Sequence, residues 1–115
     1  MHELYIAQSI IGTVKKSLPE DLHSSLVRKV HVACGQLDAV VPETLEFLFD
    51  AIKNDYEMPE SQLVIQVIPV LCRCTDCKNE FSLELPVFVC PACGSGHVAV
   101  LQGRGIRLTK IEAAD

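Results

Sequence analysis

No apolar run in this chain approaches the ~20 residues that a membrane span needs, so none is expected. The opening residues, Met1-His2-Glu3-Leu4, lack the basic segment and long apolar core of a secretory signal, and a cytoplasmic location is expected. Positive charge is scarce. Ten Lys and Arg face 15 Asp and Glu, giving a formal net charge of -5 and a sequence pI of about 5.3. That balance disfavours a protein whose main task is gripping phosphate backbones, so no nucleic-acid partner is expected. Internal repeats and low-complexity tracts are missing. So are a nucleophile–base pair, a phosphate loop and a paired acidic dyad. The Gly103-x-Gly105 pair is too little for a nucleotide loop. An enzyme is therefore not expected.

What is present is globular in kind: 115 residues, 49% of them hydrophobic and 22% charged. That length allows one ordinary domain, or one small domain with a metal-stapled appendix. Six cysteines occur, and five of them lie between positions 72 and 93. In a reducing compartment such a cluster points to metal ligands before disulfides.

Periodicity places a helix over residues 3–17, where Leu4, Ala7, Ile10, Ile11, Val14 and Leu18 follow the spacing of one face. Glu3 in the first turn and Lys15-Lys16 in the last suit the helix dipole, and Pro19 stops the helix. Residues 24–34 alternate as a strand, with Val30, Val32 and Cys34 on one face and Lys29 and His31 on the other; Gly35 closes it. A second helix begins near Pro42, its apolar stripe being Leu45, Leu48, Phe49 and Ile52. Residues 62–70 form a second strand, and Ile106 to Ile111 a last one after the Gly103-Arg104-Gly105 turn. The expected architecture is α/β: two helices on a three-stranded sheet, with a ribbon-like cysteine domain inserted between two strands. The expected division is 1–70 plus 100–115 for the first domain and 71–99 for the second.

The cysteine block reads Cys74-x-x-Cys77, twelve residues, then Cys90-x-x-Cys93. Two such knuckles suit a tetrahedral Zn²⁺, with sulfurs at about 2.3 Å; four thiolates leave no open position, which makes the site structural. A metal also lets so short a segment hold together without a large core. A redox dithiol pair or an iron–sulfur centre are the alternatives. Phe81, Leu83, Leu85, Val87 and Val89 alternate as ribbon strands would, and Gly94 permits a left-handed turn after the second knuckle. Cys72 reads as a partly buried spare thiol, with an alternate ligand as the sharper reading; Cys34 reads as a strand core residue.

The N-terminus offers a second set of donors. The Met1 amine, the His2 backbone nitrogen and the His2 imidazole can close a five- and a six-membered chelate ring around one ion. Imidazole and amide nitrogen favour tetragonal Ni(II) or Cu(II), and Glu3 can add its amide or carboxylate. The first amides of a helix lack intrahelical partners, so they are available. Taken locally, a simple polar helix start is the plainer reading. His23 and His31 read as ordinary loop and strand-face residues, and His97 as a ribbon histidine that could reach toward the N-terminus.

Met1-His2-Glu3-Leu4 with Ile6-Ala7-Gln8-Ser9-Ile10 resembles the start of the HypA/HybF family, the nickel-incorporation proteins of hydrogenase maturation. The resemblance continues through Gly35, Val41-Pro42-Glu43, Leu45 and Phe47, then Cys72-x-Cys74-x-x-Cys77, Cys90-Pro91-x-Cys93-Gly94-Ser95 and Ile111-Glu112. It implies a metallochaperone with an N-terminal nickel domain and an inserted zinc domain. Such a protein hands Ni(II) to the maturation of NiFe-hydrogenase, acting with the GTPase HypB on the hydrogenase large subunit, and in some organisms serves the urease maturation proteins. By position it implies His2, Glu3 and the Met1 amine as nickel donors, and Cys74, Cys77, Cys90 and Cys93 as zinc ligands. With the resemblance, nickel binding at the N-terminus becomes the favoured reading. The competing readings are a zinc-ribbon nucleic-acid or protein adaptor and a thiol redox regulator.

Overall fold

The computed structural model describes residues 2–83 and 87–114. The chain divides into two compact units: Met1–Ala33, Val40–Gln66 and Arg107–Asp115 make the first, and Cys34–Ala39 with Val67–Ile106 the second.

In the first unit, α1 spans Glu3–Ser17, with Glu3 at its positive end and Lys15 and Lys16 at its negative end. Leu18 leaves the helix at ψ 140, the extended backbone that a following proline imposes. The buried stripe is Ile6, Ala7, Ile10, Ile11 and Val14. Leu4 does not belong to it: at 44% exposure it stands in the open first turn, so the packed face begins later than periodicity implied. Strand β1 covers Val27–Gly35. The expected start at residue 24 is corrected, because Ser24–Leu26 coil into a 3-10 turn whose Ser25 amide donates to the His23 ring. Helix α2 spans Pro42–Ile52 with proline in its first turn; Leu45 and Phe49 are buried, and Leu48 and Ile52 half-buried. Strands β2 (Gln62–Ile68) and β6 (Ile106–Ala113) flank β1 in a three-stranded sheet ordered β2-β1-β6. The Gly35 amide donates to Gly105 O (2.8 Å) and the Ala114 amide to Leu26 O (2.7 Å), so β6 runs antiparallel to β1. The last strand thus returns to the first sheet, as the chain order implied. Val27, Val30 and Val32 are buried, as is Cys34, whose thiol burial pushes up with help from Asp38.

The second unit is built on β3 (Leu71–Cys74), with β4 (Glu80–Ser82) and β5 (Val98–Gln102) antiparallel on its two sides. Its small core is Val70, Cys72 and Leu83, packed by Leu37, Phe81, Val98 and Val100. Cys72 is fully buried there, and burial raises its thiol against a smaller pull from Arg104. The alternation of Phe81 to Val89 is only partly realised. Residues 80–82 form a strand, but Val87, Phe88 and Val89 are all exposed and unladdered, and Leu85 lies outside the described residues. Both sides of β3 are already taken, the second by the Val98–Gln102 run. Leu37 donates to Gly103 O (2.9 Å) and the Gly105 amide to the Asp38 carboxylate (2.5 Å), which ties residues 34–39 into this unit.

Candidate metal centres

The two knuckles repeat one local design. In the first, the Lys78 amide donates to Cys74 O (2.9 Å) and the Cys74 amide to Asn79 O (2.9 Å). In the second, the Gly94 amide donates to Cys90 O (2.8 Å) and the Cys90 amide to Ser95 O (2.9 Å). Each turn closes through a left-handed residue: Gly94 at φ 75, as expected, and Lys78 at φ 67, which a side chain tolerates less well.

These turns bring four sulfurs together. Cys74 and Cys93 Sγ lie 3.5 Å apart and Cys77 and Cys90 Sγ 3.6 Å, with all four within 4.8 Å of one another. A regular tetrahedron with bonds of about 2.3 Å has edges of about 3.8 Å, so the cage has the size that one Zn²⁺ requires. Cys74 and Cys90 are buried and Cys77 and Cys93 exposed, and the Asn79 amide nitrogen approaches Cys90 Sγ at 3.9 Å.

The four thiols are set unevenly by their surroundings. Burial raises the Cys90 thiol, but the Cys93 and Ala92 amides and the neighbouring thiols outweigh it and bring it down to about 6. The Ser95 amide favours the Cys93 thiolate, but its sulfur neighbours and burial push it up to about 12. Cys74 is lowered, foremost by the Cys77 amide. Backbone donors thus already stabilise anionic sulfur, the form in which cysteine binds metal. A closed shell of four thiolates can hold an ion but leaves no position for substrate.

Beside the cage, Asp76 spans the two knuckles. Its carboxylate accepts from the Ser95 hydroxyl and lies 3.1 Å from His97 Nδ1; the Ser95 bond, then the His97 bond, hold it below the usual carboxylate range. The His97 amide donates to Ser95 Oγ (3.0 Å), while His97 O accepts from the Thr75 amide (2.8 Å) and hydroxyl (2.9 Å). His97 is therefore a strut of the cysteine cage, with its ring exposed on Asp76. Sequence reading missed Asp76 and Ser95; their places inside and just after a knuckle were the available signal.

At the other end, Met1 lies outside the described residues. His2 is exposed, caps α1 with an extended backbone (φ -88, ψ 97) and makes no side-chain cap bond; its carbonyl accepts from the Ile6 amide (3.1 Å). Glu3 is the first helical residue. Among the described residues the four cysteines are the one group of three or more side chains placed to hold a metal. His23 pairs with Glu57 (3.0 Å) and His31 with Glu112 (2.5 Å), so neither joins a ligand set.

Comparison with known proteins places this arrangement. The family model described as "HypA: Hydrogenase/urease nickel incorporation, metallochaperone, hypA" matches residues 1–113. A hydrogenase maturation factor HypA of Desulfosudis oleivorans is 36% identical over 112 residues, covering 97% of each chain. That of Geotalea uraniireducens is 36% identical over 112 residues, covering 97% of this chain and 98% of its own. The fold matches the solution structure of the Ni metallochaperone HypA from Helicobacter pylori, with a TM-score of 0.68 at 24% identity, over 98% of this chain and 97% of that one.

Proposed function

The chain belongs to the HypA family of hydrogenase/urease nickel-incorporation metallochaperones, maturation factors rather than enzymes, and from that premise we propose that it binds Ni(II) at its N-terminus and delivers it to a maturing NiFe-hydrogenase. The observation that carries the proposal is the exposed imidazole of His2 at the cap of α1, with no hydrogen-bond partner among the described residues. Amides of the first helical turn have no intrahelical acceptor, so donors of the right class lie along the backbone beside that ring. The nickel donors are His2 and Glu3, with the amine of Met1. A set built from backbone and one imidazole at an exposed end can exchange ligands readily, which suits a cargo ion. No convergent cage of side chains is needed for it.

Cys74, Cys77, Cys90 and Cys93 hold a structural Zn²⁺; the tetrahedral size of the sulfur cage supports that assignment. Zinc when bound cross-links the two knuckles, while Asp76, Ser95 and His97 hold the turns in register around it. The nickel-binding domain is residues 1–70 plus 100–115, and the zinc-binding domain residues 71–99. The partners are the GTPase HypB and the hydrogenase large subunit, with the urease maturation proteins in hosts that have them. The site of action is the cytoplasm, where thiols stay reduced.

The test is metal stoichiometry of untagged protein, for wild type, His2→Ala and a form extended before Met1. His2→Ala should lose tight nickel binding, keep one zinc per chain and change stability by no more than about 0.5 kcal/mol, as exposed positions do. The extended form should also lose tight binding, since the amine becomes an amide. Retained nickel affinity in His2→Ala, or a parallel loss of zinc, refutes the two-site reading.

A further inference from the structure

The helix α2 carries two opposed faces. Leu45 and Phe49 are buried and Leu48 and Ile52 half-buried, which fixes the inward side. At about 100° per residue, Glu43, Glu46, Phe47 and Asp50 fall together on the opposite side. Phe47 is 71% exposed, and Val41 at the helix cap is 49% exposed. Single exposed apolar residues are ordinary on protein surfaces. This one differs in its setting, because carboxylates stand around it on the same helix face. Phenylalanine is also a weaker helix former than the leucine or lysine that would serve a purely solvated position.

We propose that this outer face of α2 is a docking surface for a partner protein that offers an apolar pocket ringed by lysine or arginine. The proposal rests on the reading that the chain passes its nickel to another protein. An aromatic anchor surrounded by polar residues that exclude water is the layout of an interaction hot spot. Charge selects the occupant. Of the three carboxylates, only Asp50 has a cation, Lys53 at 3.2 Å; Glu43 and Glu46 make no ion pair among the described residues. A second copy of the chain, docking face to face, would set these carboxylates against themselves, and like charges across an interface disfavour it. An anionic lipid surface or a nucleic acid meets the same repulsion. A basic rim gains from the field in both encounter rate and register.

The experiment measures association and dissociation rates of the full-length, zinc-loaded chain with purified HypB GTPase at several salt concentrations. Phe47→Ala should weaken binding at least tenfold, mainly by faster dissociation. Glu43→Lys with Glu46→Lys should slow association and flatten its salt dependence. Because these side chains lie outside the core, zinc content and circular dichroism should match wild type. His2→Ala should bind the GTPase as wild type does, so loss of the nickel reading and loss of this surface are told apart. Binding within twofold of wild type by both surface variants overturns the proposal, as does no measurable association of the wild type. A wild-type dimer that Phe47→Ala dissolves also overturns it, by placing a second copy on the face.

Discussion

Gly35→Ala should be among the most damaging one-carbon changes available in this protein. Gly35 has an ordinary φ of -65, so its backbone would suit any residue. What forbids a side chain is space. A Cβ there would lie 2.2 Å from Gly103 O, 2.3 Å from Gly103 C and 2.6 Å from Arg104 N, all of them backbone atoms that no rotamer change can move. Ordinary contacts need more than 3 Å, so the 103–104 segment must retreat by about 1 Å. Two hydrogen bonds depend on that segment: Gly35 to Gly105 O (2.8 Å) and Leu37 to Gly103 O (2.9 Å). Losing both removes about 2 kcal/mol, and forcing an atom into packed structure adds about 1–3 kcal/mol. Alanine restricts the unfolded chain and returns about 0.4–1 kcal/mol. The net loss is about 2–5 kcal/mol, a large part of the 5–15 kcal/mol that holds a typical domain folded. Urea unfolding of the zinc-loaded protein reads it as a lower midpoint at unchanged slope. Gly12→Ala is the control: it lies inside α1 with nothing within 4 Å of the new Cβ, so it should stabilise by about 0.5–1 kcal/mol. A Gly35→Ala loss under 1 kcal/mol would refute the close approach.

Cys93→Ala should strip the zinc and unfold the second unit, because three thiolates hold the ion poorly. Cys72→Ala should keep one zinc per chain and cost about 1 kcal/mol, since Cys72 is packed among Val70 and Leu83; equal zinc loss in the two would refute the ligand assignment. Glu112 should lend stability in a defined pH range. Its bond to His31, then its attraction to Lys110 and Lys29, holds it below its ordinary 4.5 against the opposing effect of burial. A lowered folded-state value contributes fully above 4.5 and is lost as pH falls through that lowered value. Glu112→Gln should therefore flatten the stability curve below about pH 4.5, and parallel curves would count against it.

The spans of α1 and α2 and the two Cys-x-x-Cys turns were legible in the sequence because their causes are local. A three-and-four apolar period with a proline stop leaves little choice of helix. A Cys-x-x-Cys turn brings its own two sulfurs together whatever surrounds it. The return of the last strand followed from chain order, since an inserted block leaves the final strand to complete the first sheet. Other features were decided by distant partners. Leu4 has the right phase for the core, yet it stays 44% exposed, because the packed face of α1 begins at Ile6. Residues 87–89 alternate nothing because β3 had two sides only, and Val98–Gln102 took the second. Asp76 joins Ser95 and His97 from the other knuckle, a pairing no local spacing encodes. Residues 34–39 belong with the second unit because of backbone bonds to Gly103 and Gly105, almost seventy positions away. Local order is written in periodicity and spacing, whereas the allotment of ladder positions, close backbone crossings and polar struts is settled only when the whole chain competes for the same space.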